Sequence, residues 1–282
     1  MTVGITLAVG LVVAALIIPR LAADTLHDGQ SDTGAAPKME HIHGIGINPG
    51  DGVVYAGTHH GLFRIADGQA SRVADRVQDY MGFTVAGPGQ FLASGHPGPG
   101  QGGPSSVGLI ESTDVGQTWK TLSLSGQADF HALEYRHDRV YGLNSMTGQL
   151  LASTDKKSWE EVSSAPIADF SVSPADADVL VATTEQGLAR STDGGATFEL
   201  VGSAPVMIFV SWADDGTLAG VTPDGVVYTA QDPTDEWTEQ ARLDGQPEAL
   251  TIASGTQIYA AADGNVLAST DGGATFSPMV DQ

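Results

Sequence analysis

The chain has 282 residues, no cysteine, 36 glycines, 14 prolines and only 6% aromatic residues. Its 41% hydrophobic content supports a packed core, while the missing thiols exclude disulfide scaffolds, thiolate zinc sites, iron–sulfur centres and lipid anchors on cysteine. Thirty-four acidic against 12 basic residues give a net charge of −22, a field that repels nucleic-acid phosphates and anionic lipid heads and attracts cations.

Val3 to Ile18 is an unbroken run of apolar residues and glycine, ended by Pro19 and Arg20. It is short for a membrane span and long for the apolar part of a signal peptide. The reading is a hydrophobic helix directing export, with residues 1–23 either cleaved or kept as an anchor, the only membrane contact expected. Residues 24–39 are polar and aperiodic, a flexible tether. The chain is then expected to act at the extracellular face of the membrane or as a secreted protein.

From residue 40 onward a unit of about 40 residues recurs. Its clearest marks are Ser112-Thr-Asp-Val-Gly-Gln-Thr-Trp119, Ser191-Thr-Asp-Gly-Gly-Ala-Thr-Phe198, Ser269-Thr-Asp-Gly-Gly-Ala-Thr-Phe276 and a shortened Ser153-Thr-Asp-Lys-Lys-Ser-Trp159. The closing aromatics Trp119, Trp159, Phe198, Trp237 and Phe276 are spaced 40, 39, 39 and 39 residues apart. Ahead of most of them an alternating apolar strand, a turn and a second strand recur, the second strands at 53–58, 90–94, 139–143, 179–183, 216–221 and 257–261. Six units follow (about 40–75, 76–125, 126–164, 165–203, 204–244 and 245–280). The expectation is an all-β, six-bladed β-propeller over residues 40–282. In the eight-residue box, Ser and Asp side chains accept hydrogen bonds from a turn, glycine takes positive φ and the aromatic packs back into the blade. Asp114, Asp155, Asp193 and Asp271 are therefore read as structural.

In a propeller, the start of each innermost strand and the end of each second strand share one face, and the boxes lie on the other. All eight histidines fall at or before residue 137. Six sit at positions of the first face in three neighbouring blades: His41 and His43, which period two puts on one side of a strand, then His59, His60, His96 and His131. His27 in the tether and His137 in a turn on the far side are set apart. Asp79, Met81, Asp129 and Met146 occupy further positions on that face. Imidazole suits copper, zinc, iron or nickel, and thioether sulfur biases toward Cu(I). The expectation is a site for a transition metal, copper or zinc, at a histidine-rich mouth. Asp79, Asp129 and Asp169 recur at one blade position and are also candidates for capping backbone. The insertion from His96 to Ser106, rich in Gly and Pro, falls beside the histidines as a lid, a protein contact or a slack connection.

The box has the form S-x-D-x-G-x-T-[WF] and resembles the Asp-box (BNR) repeat of exo-α-sialidases and of sortilin-type and photosystem-assembly propellers. The stretches His41-Ile-His-Gly, Thr58-His-His-Gly-Leu-Phe-Arg64, Asp79-Tyr-Met-Gly-Phe-Thr-Val-Ala-Gly-Pro88, Ala93-Ser-Gly-His-Pro97, Gly108-Leu-Ile-Glu-Ser-Thr-Asp114 and Leu124-Ser-Gly-Gln-Ala-Asp-Phe-His-Ala132 resemble an exported bacterial glycosyl hydrolase-like BNR family. That resemblance implies the propeller and an enzyme acting on extracellular glycans; the assembly propellers imply a protein-binding scaffold. Sialidase chemistry calls for three arginines converging on a substrate carboxylate. Arg64, Arg72, Arg76, Arg136, Arg139, Arg190 and Arg242 do not open inner strands, and Tyr80 has no identifiable partners for a nucleophile.

Overall fold

A computed structural model describes residues 39–280. The apolar segment at 1–23 and nearly all of the tether lie outside the described residues. Within them the chain forms six four-stranded antiparallel sheets, each built from consecutive strands. Blade one is β1 (Ile42–Ile47), β2 (Val54–Thr58), β3 (Gly61–Ala66) and β4 (Gln69–Arg72). Blade two is β5 (Asp79–Gly87), β6 (Gln90–His96), β7 (Leu109–Ser112) and β8 (Lys120–Ser123). Blade three is β9 (Phe130–Arg136), β10 (Arg139–Asn144), β11 (Gln149–Ser153) and β12 (Glu160–Ser163). Blade four is β13 (Asp169–Val172), β14 (Leu180–Thr184), β15 (Gly187–Ser191) and β16 (Glu199–Leu200). Blade five is β17 (Phe209–Trp212), β18 (Leu218–Val221), β19 (Val226–Ala230) and β20 (Thr238–Arg242), and blade six is β21 (Pro247–Ser254), β22 (Gln257–Ala262), β23 (Asn265–Ser269) and β24 (Ser277–Pro278). The fold is an all-β six-bladed propeller, as the repeat predicts.

The core is six seams rather than one mass. Each apolar cluster joins two neighbouring blades, as where Tyr55 and Leu62 of blade one meet Tyr80, Phe83 and Phe91 of blade two. Second strands therefore bury both faces: in β14, Ala182 faces blade three and Val181 faces blade five. That is why β2 is buried along its whole length, whereas the outermost strand β4 alternates exposed and half-buried residues. The sixth seam, where Ile42, Ile45 and Val54 pack on Ala249 and Val266, closes the ring without a shared strand.

The Ser-Thr-Asp boxes form the turns from third to fourth strand. Ser191 Oγ accepts from Gly195 N (2.9 Å) and donates to Asp193 Oδ1 (2.7 Å), while Asp193 accepts from Thr197 N (2.9 Å) and Thr197 Oγ1 (2.6 Å). Asp114 and Asp271 make the same bonds, and Asp155 a shortened set with Lys157 N and Ser158 N. One expectation needs correcting. The closing aromatic packs across the seam onto the preceding blade rather than into its own alone: Trp119 joins the blade one–two cluster and Phe198 the blade three–four cluster. A side chain at Gly116 would collide with Leu62 of blade one, so the box is part of the joint between blades.

Candidate metal centre

Three consecutive inner strands carry the same irregularity near their start. In β1, Ile42 pairs with Thr58 and Gly44 with Gly57, leaving His43 as an extra residue. In β5, Tyr80 pairs with Gly95 and Gly82 with Ser94, leaving Met81. In β9, Phe130 pairs with Asn144 and Ala132 with Leu143, leaving His131. Each is a β-bulge, which bends the strand and re-aims a side chain. His43, Met81 and His131 all line the central cavity of about 620 Å³ that runs between the six inner strands. Gly82 lets blade three come close here, because a Cβ on it would meet the Phe130 carbonyl oxygen.

The bulges bring the histidines of blades one to three to one mouth. The His59 ring lies edge-on to both His41 and His43, with centroids 5.0 and 4.6 Å away. His59 Nδ1 is 2.9 Å from Asp79 Oδ1, and His96 Nδ1 is 2.9 Å from Asp79 Oδ2. On its other side His96 Nε2 is 3.5 Å from Asp129 Oδ2, which His131 Nε2 approaches to 2.9 Å and Ser145 Oγ to 3.0 Å. Side-chain exposure is 18% for Asp79 and 9% for Asp129 against 37–44% for His59, His96 and His131, so the carboxylates lie beneath the rings. An expected member is not in this group: His60, the second residue of the turn between β2 and β3, turns out to Glu40 Oε2 at 3.2 Å. Met146 is 58% exposed on the loop after β10. His137 bonds the Ser173 carbonyl at the far side of the ring, as its turn position suggests.

Within this chain of groups, His43, His59 and Asp79 each offer a ligand atom, all within 4.8 Å of one another. His43 Nε2 is buried without a hydrogen-bond partner, which is costly unless something else satisfies it. Burial, reinforced by His59 beside it, brings the His43 pKa down to about 4, so the ring is neutral and its lone pair available to a metal. The third carboxylate of the repeat behaves otherwise. Asp169 Oδ2 accepts from Val210 N at 2.9 Å, capping the next inner strand as anticipated, while Asp79 and Asp129 are given to imidazoles. The bulges leave little trace in the sequence. Their only local signal is a glycine directly after the extra residue, in Ile42-His43-Gly44 and Tyr80-Met81-Gly82.

Among the described residues, Arg136 is the arginine lining the cavity. It sits at the opposite end of β9 from His131, bound to Glu134, Asp214 and the Trp212 carbonyl.

No family model matches the chain, and no characterised relative matches it by sequence. Solved structures share its fold. XC5397 from Xanthomonas campestris, a gluconolactonase, superposes with a TM-score of 0.66 at 10% identity over 81% of this chain and 85% of that one. A nidogen/laminin complex gives 0.64 at 10% identity, covering 81% and 93%. YCF48 bound to D1 peptide gives 0.54 at 17% identity, covering 86% and 82%. At these identities the likeness establishes the propeller.

Proposed function

We propose that this propeller binds a first-row transition-metal ion, of the copper or zinc class, at the seam between blades one and two. His43 Nε2, a His59 ring nitrogen and an Asp79 oxygen are the ligands. The observation that carries the reading is the buried, unpartnered Nε2 of a neutral His43 beside two further ligand atoms. Two imidazoles and one carboxylate suit zinc, copper or iron. Three protein ligands at an open mouth leave a coordination position for water or an incoming molecule. In this reading the apolar segment from Val3 to Ile18 directs export, and the acidic surface, at −22, attracts cations to the mouth. The Ser-Thr-Asp turns are those of an Asp-box propeller.

The test is metal retention. The full chain, stripped by chelator, incubated with Zn(II) or Cu(II) and desalted, is expected to retain metal in near-integral amount. His43→Ala and His59→Ala each give up one equivalent, and His60→Ala, whose ring points to Glu40, retains the wild-type amount. Equal retention by His43→Ala and wild type overturns the proposal.

A protein-binding scaffold is the second reading. Met146 and Val206, 58% and 48% exposed, belong to loops of the same face, as does the connection from His96 to Leu109. Two similar folds are described with partners, YCF48 with D1 peptide and nidogen with laminin. A pull-down lost on replacing residues 97–107 with a short Gly-Ser turn supports it. A glycan-cleaving enzyme has less behind it, since Arg136 is held by acids away from the histidines.

A further inference from the structure

The inner strands leave a cavity of about 620 Å³, a volume that suits a small organic molecule. Near the start of its inner strand each blade contributes one lining residue: His43, Met81, His131, Asp169, Phe209 and Glu248. At the other end Arg136 reaches past blade four to blade five, where Nη1 donates to Asp214 Oδ1 at 2.8 Å and Nη2 to the Trp212 carbonyl at 2.9 Å. This strut lies across the far end and leaves the histidine mouth as the way in. Glu134 holds the Arg136 Nε at 3.0 Å, so Arg136 has no charge to spare for a ligand. Among the described residues no other Lys or Arg lines the cavity.

We propose that this cavity binds a small organic ammonium ion, an amine on a short aliphatic body, with Asp169 as its anchor and Glu248 as a second carboxylate near the mouth. Each acid commits one oxygen to the joint between blades. Asp169 Oδ2 accepts from Val210 N at 2.9 Å, and Glu248 Oε2 from Gly264 N at 3.0 Å and Ile42 N at 3.3 Å. Among the described residues no Lys, Arg or His forms an ion pair with either. Capping backbone does not require a carboxylate. Two residues further along the same strands a hydroxyl does it, Ser171 Oγ for Trp212 N and Ser211 Oγ for Ile252 N. A carboxylate shut away without a cation is costly to the folded state, and a site complementary to a positive ligand carries that cost. Burial and the Glu134 charge push the Asp169 pKa up to about 7, which an ammonium beside it would reverse. Met81, Phe209 and Ala249 line the cavity for the aliphatic body. An anionic ligand would meet Glu134, Asp169 and Glu248 with no free cation to offset them.

The strands packed against β13 bring His131, Glu134 and Arg136 from β9 and no titratable group from β14 or β17, with Asp214 following β17. Below pH 7 Asp169 has to lose a proton before it can pair with an ammonium, so affinity falls as pH falls. Neither carboxylate is a metal ligand, so ammonium binding and metal binding fail separately. Chelator-treated full chain is titrated by calorimetry with putrescine, with the diol of the same chain length and with succinate, at physiological salt. The expected result is submillimolar binding of putrescine at pH 8, weaker by at least tenfold at pH 5.5, and no binding of the diol or succinate. Asp169→Asn keeps the acceptor for Val210 N and is expected to lose at least tenfold in affinity together with the pH dependence, while His43→Ala binds as wild type. A chain at −22 gathers any cation diffusely, and Asp169→Asn removes only one of those charges, so a specific loss marks the cavity. Putrescine binding that is absent, matched by the diol or unchanged in Asp169→Asn overturns the site. Affinity in the wild-type chain that is flat from pH 5.5 to 8 overturns it too, which keeps the test decisive if the variant does not fold.

Discussion

One blade position holds three carboxylates with two different uses. Asp79 and Asp129 face imidazoles across a seam, whereas Asp169 has no cationic neighbour and accepts from Val210 N. Surrounding protein, and the Glu134 charge nearby, push the Asp169 pKa up from 3.8 to about 7, although its side chain keeps an edge open to the cavity. The folded state then holds a proton more tightly than the unfolded chain. Stability falls as pH rises from about 4 to about 7 and is not lowered further above that window. Three pKa units correspond to about 4 kcal/mol, which cavity water reduces to a few kcal/mol. Asp169→Asn keeps an acceptor for Val210 N and removes the ionisation. The expected outcome is a flatter stability profile between pH 4 and 7 and a higher unfolding free energy at pH 8, read by urea unfolding from pH 4 to 8. A variant with the wild-type slope would show that Asp169 does not carry the effect. Glu134, also raised by burial but paired with Arg136, contributes part of the slope that remains.

At the scale of the element, the third-to-fourth-strand turn is held by a buried hydroxyl. Ser191 is 1% exposed and accepts from Gly195 N, so Ser191→Ala leaves a buried donor without a partner. A loss of about 1–3 kcal/mol is expected, with the same change at Ser269 similar because its bonds are the same. Denaturant unfolding measures both, and a neutral result would detach the box from stability. These turns were legible in the sequence because their chemistry is local: Ser, Asp, Gly and Thr bond within five residues, and the second strands show as apolar runs because both faces are buried. The histidine cluster was legible only in part. Which blades carry histidine follows from the repeat, but the choice of His59 over His60 depends on the shape of the two-residue turn between β2 and β3. The aim of His43 and His131 depends on bulges that arise when one inner strand gains a residue over its partner. Asp79 as an imidazole partner, rather than a backbone cap like Asp169, depends on His59 and His96 arriving from two blades, which no local pattern records.

The whole ring has to close by non-covalent contact, since each sheet is made of consecutive strands and the chain has no cysteine. At the closing seam Thr251 Oγ1 donates to the Ile45 carbonyl at 2.7 Å, and Glu248 Oε2 accepts from Ile42 N at 3.3 Å and Gly264 N at 3.0 Å. Glu248 is itself a bulge residue: Pro247 pairs with Ala262 and Ala249 with Ala261. The irregularity that aims His43, Met81 and His131 into the cavity in blades one to three thus aims a fastening in blade six. Two forces oppose at this seam, apolar packing of Ile42 and Ile45 on Ala249 and Val266, and the mutual repulsion of a chain at −22. The packing is indifferent to dilute salt and the repulsion is not. Raising NaCl from 0.01 to 1 M shortens the screening length from about 30 to about 3 Å. The melting temperature of metal-free protein is therefore expected to rise with salt. Glu248→Ala deprives two amides of their acceptor and is expected to cost about 1–3 kcal/mol, lowering the melting temperature by about 2–4 °C per kcal/mol at this size. Hydrogen exchange locates the effect. Faster exchange at Ile42 and Gly264, with the seam of blades four and five unchanged, marks the closing seam as where the ring opens first. Uniform acceleration around all six blades would mean that no seam is special and that the ring unfolds as one unit.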